Sequence, residues 1–201
     1  MLTLKPGLRL YKSALDRSAQ EALVVGLREV LREAPLFRPV MPRTGKAFSV
    51  RMSNCGPLGW VSDRSSYRYQ TTHPETGRNW PPMPDSILRL WRDFAGHDAA
   101  PDACLINFYD AQARMGPHQD RDEQDFAAPI LSLSLGDSCR FRHGGEKRGD
   151  PSEAIRLDSG DILVFGGPAR KMFHGVDRIF SGTSTLLSPP GRINLTLRRA
   201  R

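Results

Sequence analysis

The hydrophobic rhythm of the chain changes near its middle. Across residues 13–34, Ala19, Ala22, Leu23, Gly26, Leu27, Val30 and Leu31 recur at helical spacing, which predicts an amphipathic helix. Pro35 ends it, because a residue before proline is pushed out of the α region. A second helix is predicted to open at Pro84-Asp85, with Ile87, Leu88, Trp91 and Phe94 on one face. Between the two lies a Gly- and Pro-rich stretch with short strand-like pieces at Ala47–Met52 and Ser66–Tyr69. From Ala103 onward the period becomes two. The candidate strands are Ala103–Tyr109, Ile130–Leu135, Ser138–Arg142, Ala154–Leu157, Asp161–Phe165 and Arg192–Arg199, separated by turn residues such as Gly136-Asp137, Ser159-Gly160 and Pro189-Pro190-Gly191. Helices early and many short strands late predict an α+β chain, a β-sandwich or jelly roll buttressed by N-terminal helices. There is no internal repeat or low-complexity linker, and 201 residues suit a single domain with a sizeable core.

Composition narrows the function less than the pattern does. With 39% hydrophobic residues and no apolar run near the length of a membrane span, a soluble protein is expected. Residues 1–10 alternate apolar and basic residues without a continuous apolar segment or a small-residue cleavage site, so a cytoplasmic location is expected. Cys55, Cys104 and Cys139 are odd in number and widely spaced, which fits three reduced thiols better than a disulfide framework or a zinc ribbon. The net charge of +7 and a pI near 9.8 favour polyanions as partners, in a salt-dependent way. A solvated basic surface without a partner would have the same composition.

The candidate chemistry centres on His118-Gln119-Asp120, followed 56 residues later by His174. Two imidazoles and one carboxylate can hold iron(II) on one face and leave positions open for a cosubstrate and dioxygen. At a strand end, period-two geometry turns His118 and Asp120 to the same side, and Gly116-Pro117 predicts a sharp entry turn. His174 is expected on a separate strand beyond Asp161–Phe165. His73, His97 and His143 read as structural or surface residues. On the last strand Ile193, Leu195 and Leu197 face one way and Arg192, Asn194, Thr196 and Arg198 the other. Two arginines on one face repel unless water or an anion compensates, and guanidinium forks match carboxylates. A small dicarboxylate would satisfy both, although the pattern alone fits a solvated edge strand better. Asn107 and Tyr109 likewise share a face and could hydrogen-bond a keto acid.

Taken in order, these segments resemble the AlkB family of iron(II)- and 2-oxoglutarate-dependent dioxygenases. The matching stretches are Leu105-Ile106-Asn107-Phe108-Tyr109, His118-Gln119-Asp120-Arg121-Asp122-Glu123, Ala128-Pro129-Ile130, Gly160-Asp161 with Gly166-Gly167, Phe173-His174-Gly175, and Arg192 through Arg198. Upstream, residues 54–60 (Asn54 to Trp60) and 80–84 (Trp80 to Pro84) extend the similarity, which covers about residues 36 to 199. The resemblance implies a double-stranded β-helix core over about 103–199 and a nucleotide-recognition lid over about 36–83. It implies Fe(II) ligands at His118, Asp120 and His174, with 2-oxoglutarate and O2 as cosubstrates. Asn107, Tyr109, Arg192, Asn194 and Arg198 fall on the family's 2-oxoglutarate positions. Trp60, Tyr67, Tyr69, Asp122 and Arg148 fall on its substrate positions. The implied activity is oxidative demethylation of 1-methyladenine and 3-methylcytosine in alkylated single-stranded DNA, with RNA as a second polymer, by a monomer. Phe165 departs from the family pattern, standing where the best-known bacterial members carry Trp; it keeps bulk and loses the indole donor.

Two other readings compete with this one. The same iron and 2-oxoglutarate chemistry could serve RNA only, protein or lipid, against which the charge and the aromatics around Trp60 argue. A non-catalytic basic nucleic-acid-binding module would have no need of His118, Asp120, His174, Arg192 and Arg198 together.

Overall fold

A computed structural model describes residues 1–201. In chain order its elements are β1 (Leu2–Lys5), β2 (Leu8–Tyr11), α1 (Arg17–Glu33), β3 (Arg51–Cys55), β4 (Gly59–Ser62), β5 (Tyr67–Gln70) and α2 (Asp85–Phe94). They continue with β6 (Ala103–Tyr109), β7 (Met115–His118), β8 (Ile130–Gly136), β9 (Ser138–His143), β10 (Glu153–Leu157), β11 (Ile162–Phe165), β12 (His174–Phe180) and β13 (Arg192–Arg198). Seven strands form one sheet in the order β1-β2-β11-β8-β13-β6-β3, and four form a second in the order β10-β9-β12-β7. β4 and β5 make a separate two-stranded sheet. All the strand ladders are antiparallel, giving a mostly-sheet, jelly-roll-like fold with few helices.

Strict alternation assigns the two faces of the large sheet. On β8, Leu131, Leu133 and Leu135 join Ile162 and Val164 of β11 and Ile193, Leu195 and Leu197 of β13 beneath the helices. Leu23, Val24, Leu27 and Val30 of α1 and Ile87, Leu90 and Trp91 of α2 close this layer. The opposite face contributes Leu163 and Phe165 to an inter-sheet core with Cys139, Phe141, Leu157, Val176 and Ile179. Each such side chain contributes roughly 1.5–3 kcal/mol by leaving water. The second layer is incomplete towards one end, and the polar inward residues of β6, β8 and β13 line a cleft there.

Several predicted elements differ in their bounds. The first helix begins at Arg17 and not at residue 13, because the Asp16 side chain caps it by accepting from the Ala19 N–H at 2.8 Å. Its buried stripe is Gln20, Leu23, Val24, Leu27 and Val30, and Ala22 faces solvent. The strand expected at Ala47–Met52 starts only at Arg51; residues 37–52 are tied instead by isolated bridges, Phe37 to Met52 and Val40 to Ala47. β13 is interior, between β8 and β6, so the solvated-edge alternative is wrong for Arg192 and Arg198. The β1–β2 hairpin and β4 had no counterpart among the predicted strands. All three cysteines are free and buried. No helix is long and apolar enough to cross a membrane.

Candidate active site

β7 ends at His118, and β12 begins at His174 directly across from it in the ladder. The approach is close because residue 175 is glycine: a Cβ there would lie 2.5 Å from the Met115 carbonyl oxygen. The two imidazole centroids are 4.4 Å apart. Asp120, two residues past the strand, places its carboxylate oxygens 3.8 Å from His118 Nε2 and 3.7 Å from His174 Nε2. One donor atom from each residue fits within 4.8 Å of the others.

The proton positions suit a metal. His118 Nδ1 lies 3.0 Å from the Gly116 carbonyl and His174 Nδ1 3.1 Å from the Met172 carbonyl. A carbonyl only accepts, so each Nδ1 carries the proton and each Nε2 lone pair is left facing Asp120. Burial and the neighbouring His118 push the His174 pKa down to about 4, so the ring is neutral. Burial alone would raise the Asp120 carboxyl, but Arg198 and the two imidazoles together hold it well below the usual carboxylate range. Arg198 Nη2 is 2.9 Å from Asp120 Oδ2, yet not aligned with it as a donor, and that buried oxygen has no hydrogen-bond partner. Two imidazoles that present Nε2 and an ionised carboxylate with a spare lone pair are the donor set that iron(II) requires.

The cosubstrate face follows from register. On β13 Arg192 sits opposite Tyr109 of β6, and Asn194 opposite Asn107. β8 offers serines on its inward face. Arg192 donates to the Ser134 hydroxyl at 2.8 Å and Asn194 to the Ser132 hydroxyl at 2.8 Å. Arg192 is 1% exposed with no carboxylate paired to it, and its Nε has no partner. The amide oxygen of Asn107 is also unpartnered. An unpaired buried guanidinium is costly, and a carboxylate ligand would remove that cost. Burial pushes the Tyr109 phenol well above its usual range, against the pull of Arg192, so it stays a neutral donor.

A cleft of about 960 Å³ opens over these groups. It is lined by His118, Asp120 and His174, by Asn107, Tyr109, Asn194 and Arg198, and by Trp60, Tyr67, Asp122 and Arg148. Trp60 and Tyr67 stack with centroids 5.6 Å apart and planes 17° from parallel. The Trp60 indole donates to Asp122 at 2.8 Å. Arg148 lies over the Phe173 ring at 5.0 Å. Phe165 packs 5.0 Å from the His174 ring. Two of the sequence-predicted residues do not form cleft wall. Arg192 lies behind it, and Tyr69 lies beneath it, donating to Glu123 and accepting from Arg198.

Several contributors had no sequence signal. Buried Arg170 donates to the carbonyls of Asp120 and Ala128 at 2.9 and 3.0 Å and to Glu123 at 3.1 Å, so it fastens the loop that carries Asp120. Gln119 donates to the carbonyls of Glu146 and Lys171, tying that loop to two others. Ser132 and Ser134 could be found only once β8 was aligned with β13.

Comparison with known proteins agrees with this arrangement. The model of the 2OG-Fe(II) oxygenase superfamily matches residues 7–198. An alpha-ketoglutarate-dependent dioxygenase AlkB homolog of Caulobacter vibrioides is 52% identical over 200 residues, covering 100% of this chain and 90% of that protein. The alpha-ketoglutarate-dependent dioxygenase AlkB of Escherichia coli K12 is 41% identical over 187 residues, covering 91% and 86%. The solved structure of OsALKBH1 superposes with a TM-score of 0.80 at 31% identity, covering 98% of this chain and 100% of that one. With a site suited to iron(II) beneath a face suited to a keto acid, the chain belongs to the AlkB family of the 2OG-Fe(II) oxygenase superfamily and is an iron(II)- and 2-oxoglutarate-dependent dioxygenase.

Proposed function

We propose that the chain is an alkylated-nucleobase demethylase, acting on N-methyl groups of bases such as 1-methyladenine and 3-methylcytosine in single-stranded DNA, with RNA as a second polymer. In this reading His118, Asp120 and His174 hold the iron, and Asn107, Tyr109, Arg192, Asn194 and Arg198 hold 2-oxoglutarate. Residues 36–83 act as the nucleotide-recognition lid over a core spanning about 103–199. Trp60, Tyr67, Asp122 and Arg148 meet the substrate, and Tyr69 steadies them from below. The reading rests on one observation: the stacked Trp60–Tyr67 pair shares a cleft with the His118–Asp120–His174 cluster. The cleft is rimmed by exposed Lys46, Arg114, Arg121 and Arg148. An aromatic face stacks a base and basic rim residues follow a phosphate backbone.

Bound iron(II), together with 2-oxoglutarate, supplies the dioxygen activation that turns an N–CH3 group into N–CH2OH, with succinate and CO2 as co-products. The N–CH2OH group then releases formaldehyde and returns the base nitrogen to its ordinary state. The protein's own residues bind and orient. Arg192 and Tyr109 offer donors to the distal carboxylate of 2-oxoglutarate, Asn194 adds an amide, and Arg198 stands at the metal-side end. Asp122, aligned by the Trp60 indole, accepts from an exocyclic amine on the base. Single strands are the natural substrate because a base must leave its stack to enter the cleft, which costs least where pairing is already lost. The reading takes the chain to act as a monomer.

The test is repair of a defined oligonucleotide. Protein reconstituted anaerobically with iron(II) and given 2-oxoglutarate, then oxygen, should convert 1-methyladenine or 3-methylcytosine to the parent base with one formaldehyde per lesion. Parallel arms with methylated RNA and methylated peptide rank the polymers. Succinate formation without repair of any nucleic acid would overturn the reading.

A further inference from the structure

A second basic feature lies outside the cleft, on the outer face of the four-stranded sheet. The register puts Arg140 of β9 directly opposite Arg156 of β10 on one side and opposite Arg178 of β12 on the other. Three arginines thus form one row across three neighbouring strands, and Arg142 stands two residues along β9 on the same face. Like charges facing each other across a ladder are unfavourable. Acidic residues do not cancel them. Asp177 is shared by Arg140 at 3.3 Å and Arg142 at 2.8 Å. Asp158 pairs with Arg156 at 2.7 Å and also meets Lys12 at 2.8 Å, which has a second carboxylate in Asp161 at 2.6 Å. Arg178 has no carboxylate partner. The row is held up instead by one ring: the guanidiniums of Arg156 and Arg178 both lie over Phe180, at 5.5 and 5.6 Å. Stacking leaves the N–H groups of Arg178 unspent, while Arg156 also donates to Asp158 at 2.7 Å and to the Ser138 hydroxyl at 3.1 Å.

The row is connected to the cleft. A groove of about 620 Å³ runs beside it, lined by residues 111–114 and by Asp177 to Ser181. Exposed Arg114 lines both this groove and the catalytic cleft. It precedes β7, the edge strand of the sheet, so a chain leaving the cleft over Arg114 next meets Arg178, then Arg140, then Arg156. Neighbouring strands are about 4.8 Å apart, so the row spans roughly 10 Å, the reach of two or three successive phosphates.

We infer that this face is a phosphodiester-binding track that carries the flank of a single-stranded nucleic acid away from the catalytic cleft. The inference rests on the proposed nucleic-acid substrate and adds where the rest of the strand lies. Contacts here go to phosphates only, so the track is indifferent to sequence. It gives long strands an advantage over short ones.

Binding of unmodified oligonucleotides measured against salt tests it. The wild-type chain and the triple variant Arg140→Ser, Arg156→Ser, Arg178→Ser are titrated with a trinucleotide and with a 15-nucleotide strand. Each phosphate contact to a single strand adds roughly 0.7 to the slope of log K against log salt. The variant should therefore lose about two units of slope and about tenfold or more in affinity for the long strand at low salt, with the trinucleotide unchanged. A triple lysine variant should restore most of the slope, and an unchanged circular dichroism spectrum certifies the fold. Equal slopes for wild type and serine variant on the long strand would overturn the track, including the case in which the patch serves an acidic protein. The demethylase reading is decided separately, by wild-type turnover of methylated trinucleotide, which uses none of these arginines.

Discussion

Arg192 shows how a single residue can commit a site to a ligand. Its guanidinium is buried, bonded to a serine hydroxyl and a carbonyl, and faces no carboxylate. Arg192→Ala should raise the 2-oxoglutarate concentration needed for half-maximal turnover by at least tenfold while moving oligonucleotide affinity little; the opposite ranking in paired titrations would contradict the assignment. Arg170 is the other residue whose removal should be costly. Deleting one partner of a buried ion pair costs about 3 kcal/mol or more, and replacing both costs less. Arg170→Met should therefore lower the thermal midpoint clearly, and Arg170→Met with Glu123→Gln should recover part of the loss. A double variant no better than the sum of the singles would refute the coupling. The two arginines differ in how legible they were. Arg192 could be read from sequence because period two places it on one face with Asn194, and the antiparallel register does the rest. Arg170 could not, because its partners at 120, 123 and 128 are brought to it by the fold alone. Tyr69 fails for a related reason. Period two puts it on one strand face with Tyr67, yet Tyr67 reaches the cleft wall while the Tyr69 hydroxyl turns to Glu123 and Arg198.

At the level of elements, the site depends on two strands meeting without side-chain bulk between them. A Cβ on residue 175 would strike backbone of β7, which cannot yield as a flexible side chain would. Gly175→Ala should destabilise the chain by about 1–3 kcal/mol and spread His118 from His174. Titration with cobalt(II), followed by its visible absorption, should show weaker binding; unchanged affinity would show that the two strands have slack. Six of the eight strands from Ala103 onward were legible almost to the residue because a packed face enforces the alternation; β7 and β12 were expected only as the places of His118 and His174, without bounds. The region before Ala103 was less so. There the backbone is held by isolated bridges and side-chain bonds, such as the Ser62 hydroxyl to the Val40 carbonyl, which leave no periodic trace. The β1–β2 hairpin did leave one, the alternation of residues 1–10, but four-residue strands are too short to stand out from it.

For the whole molecule, the unpaired polar atoms around the cleft make ligand binding and stability one quantity. Asp120 Oδ2, Asn107 Oδ1 and Arg192 Nε all lack partners. Cobalt(II) and 2-oxoglutarate at about a hundred times their dissociation constants should each add about 2.7 kcal/mol, or about 5–10 °C in thermal midpoint for a chain of this size. At the same 2-oxoglutarate concentration Arg192→Ala should lose about half or more of the 2-oxoglutarate increment and keep that of the metal. A midpoint indifferent to both ligands would rule out the site as described. The same economy of placement bears on how the chain finds its fold. β8 reads Leu131-Ser132-Leu133-Ser134-Leu135, with leucines under the helices and serines beside Arg192 and Asn194. Slipping that strand by one position would send hydroxyls into the helix layer and leucines against an uncompensated guanidinium, so both sides of the sheet reject the error at once. The strand thereby acts as a proofreading mark for assembly, and the residues that serve the cosubstrate also guard the register in which the sheet closes.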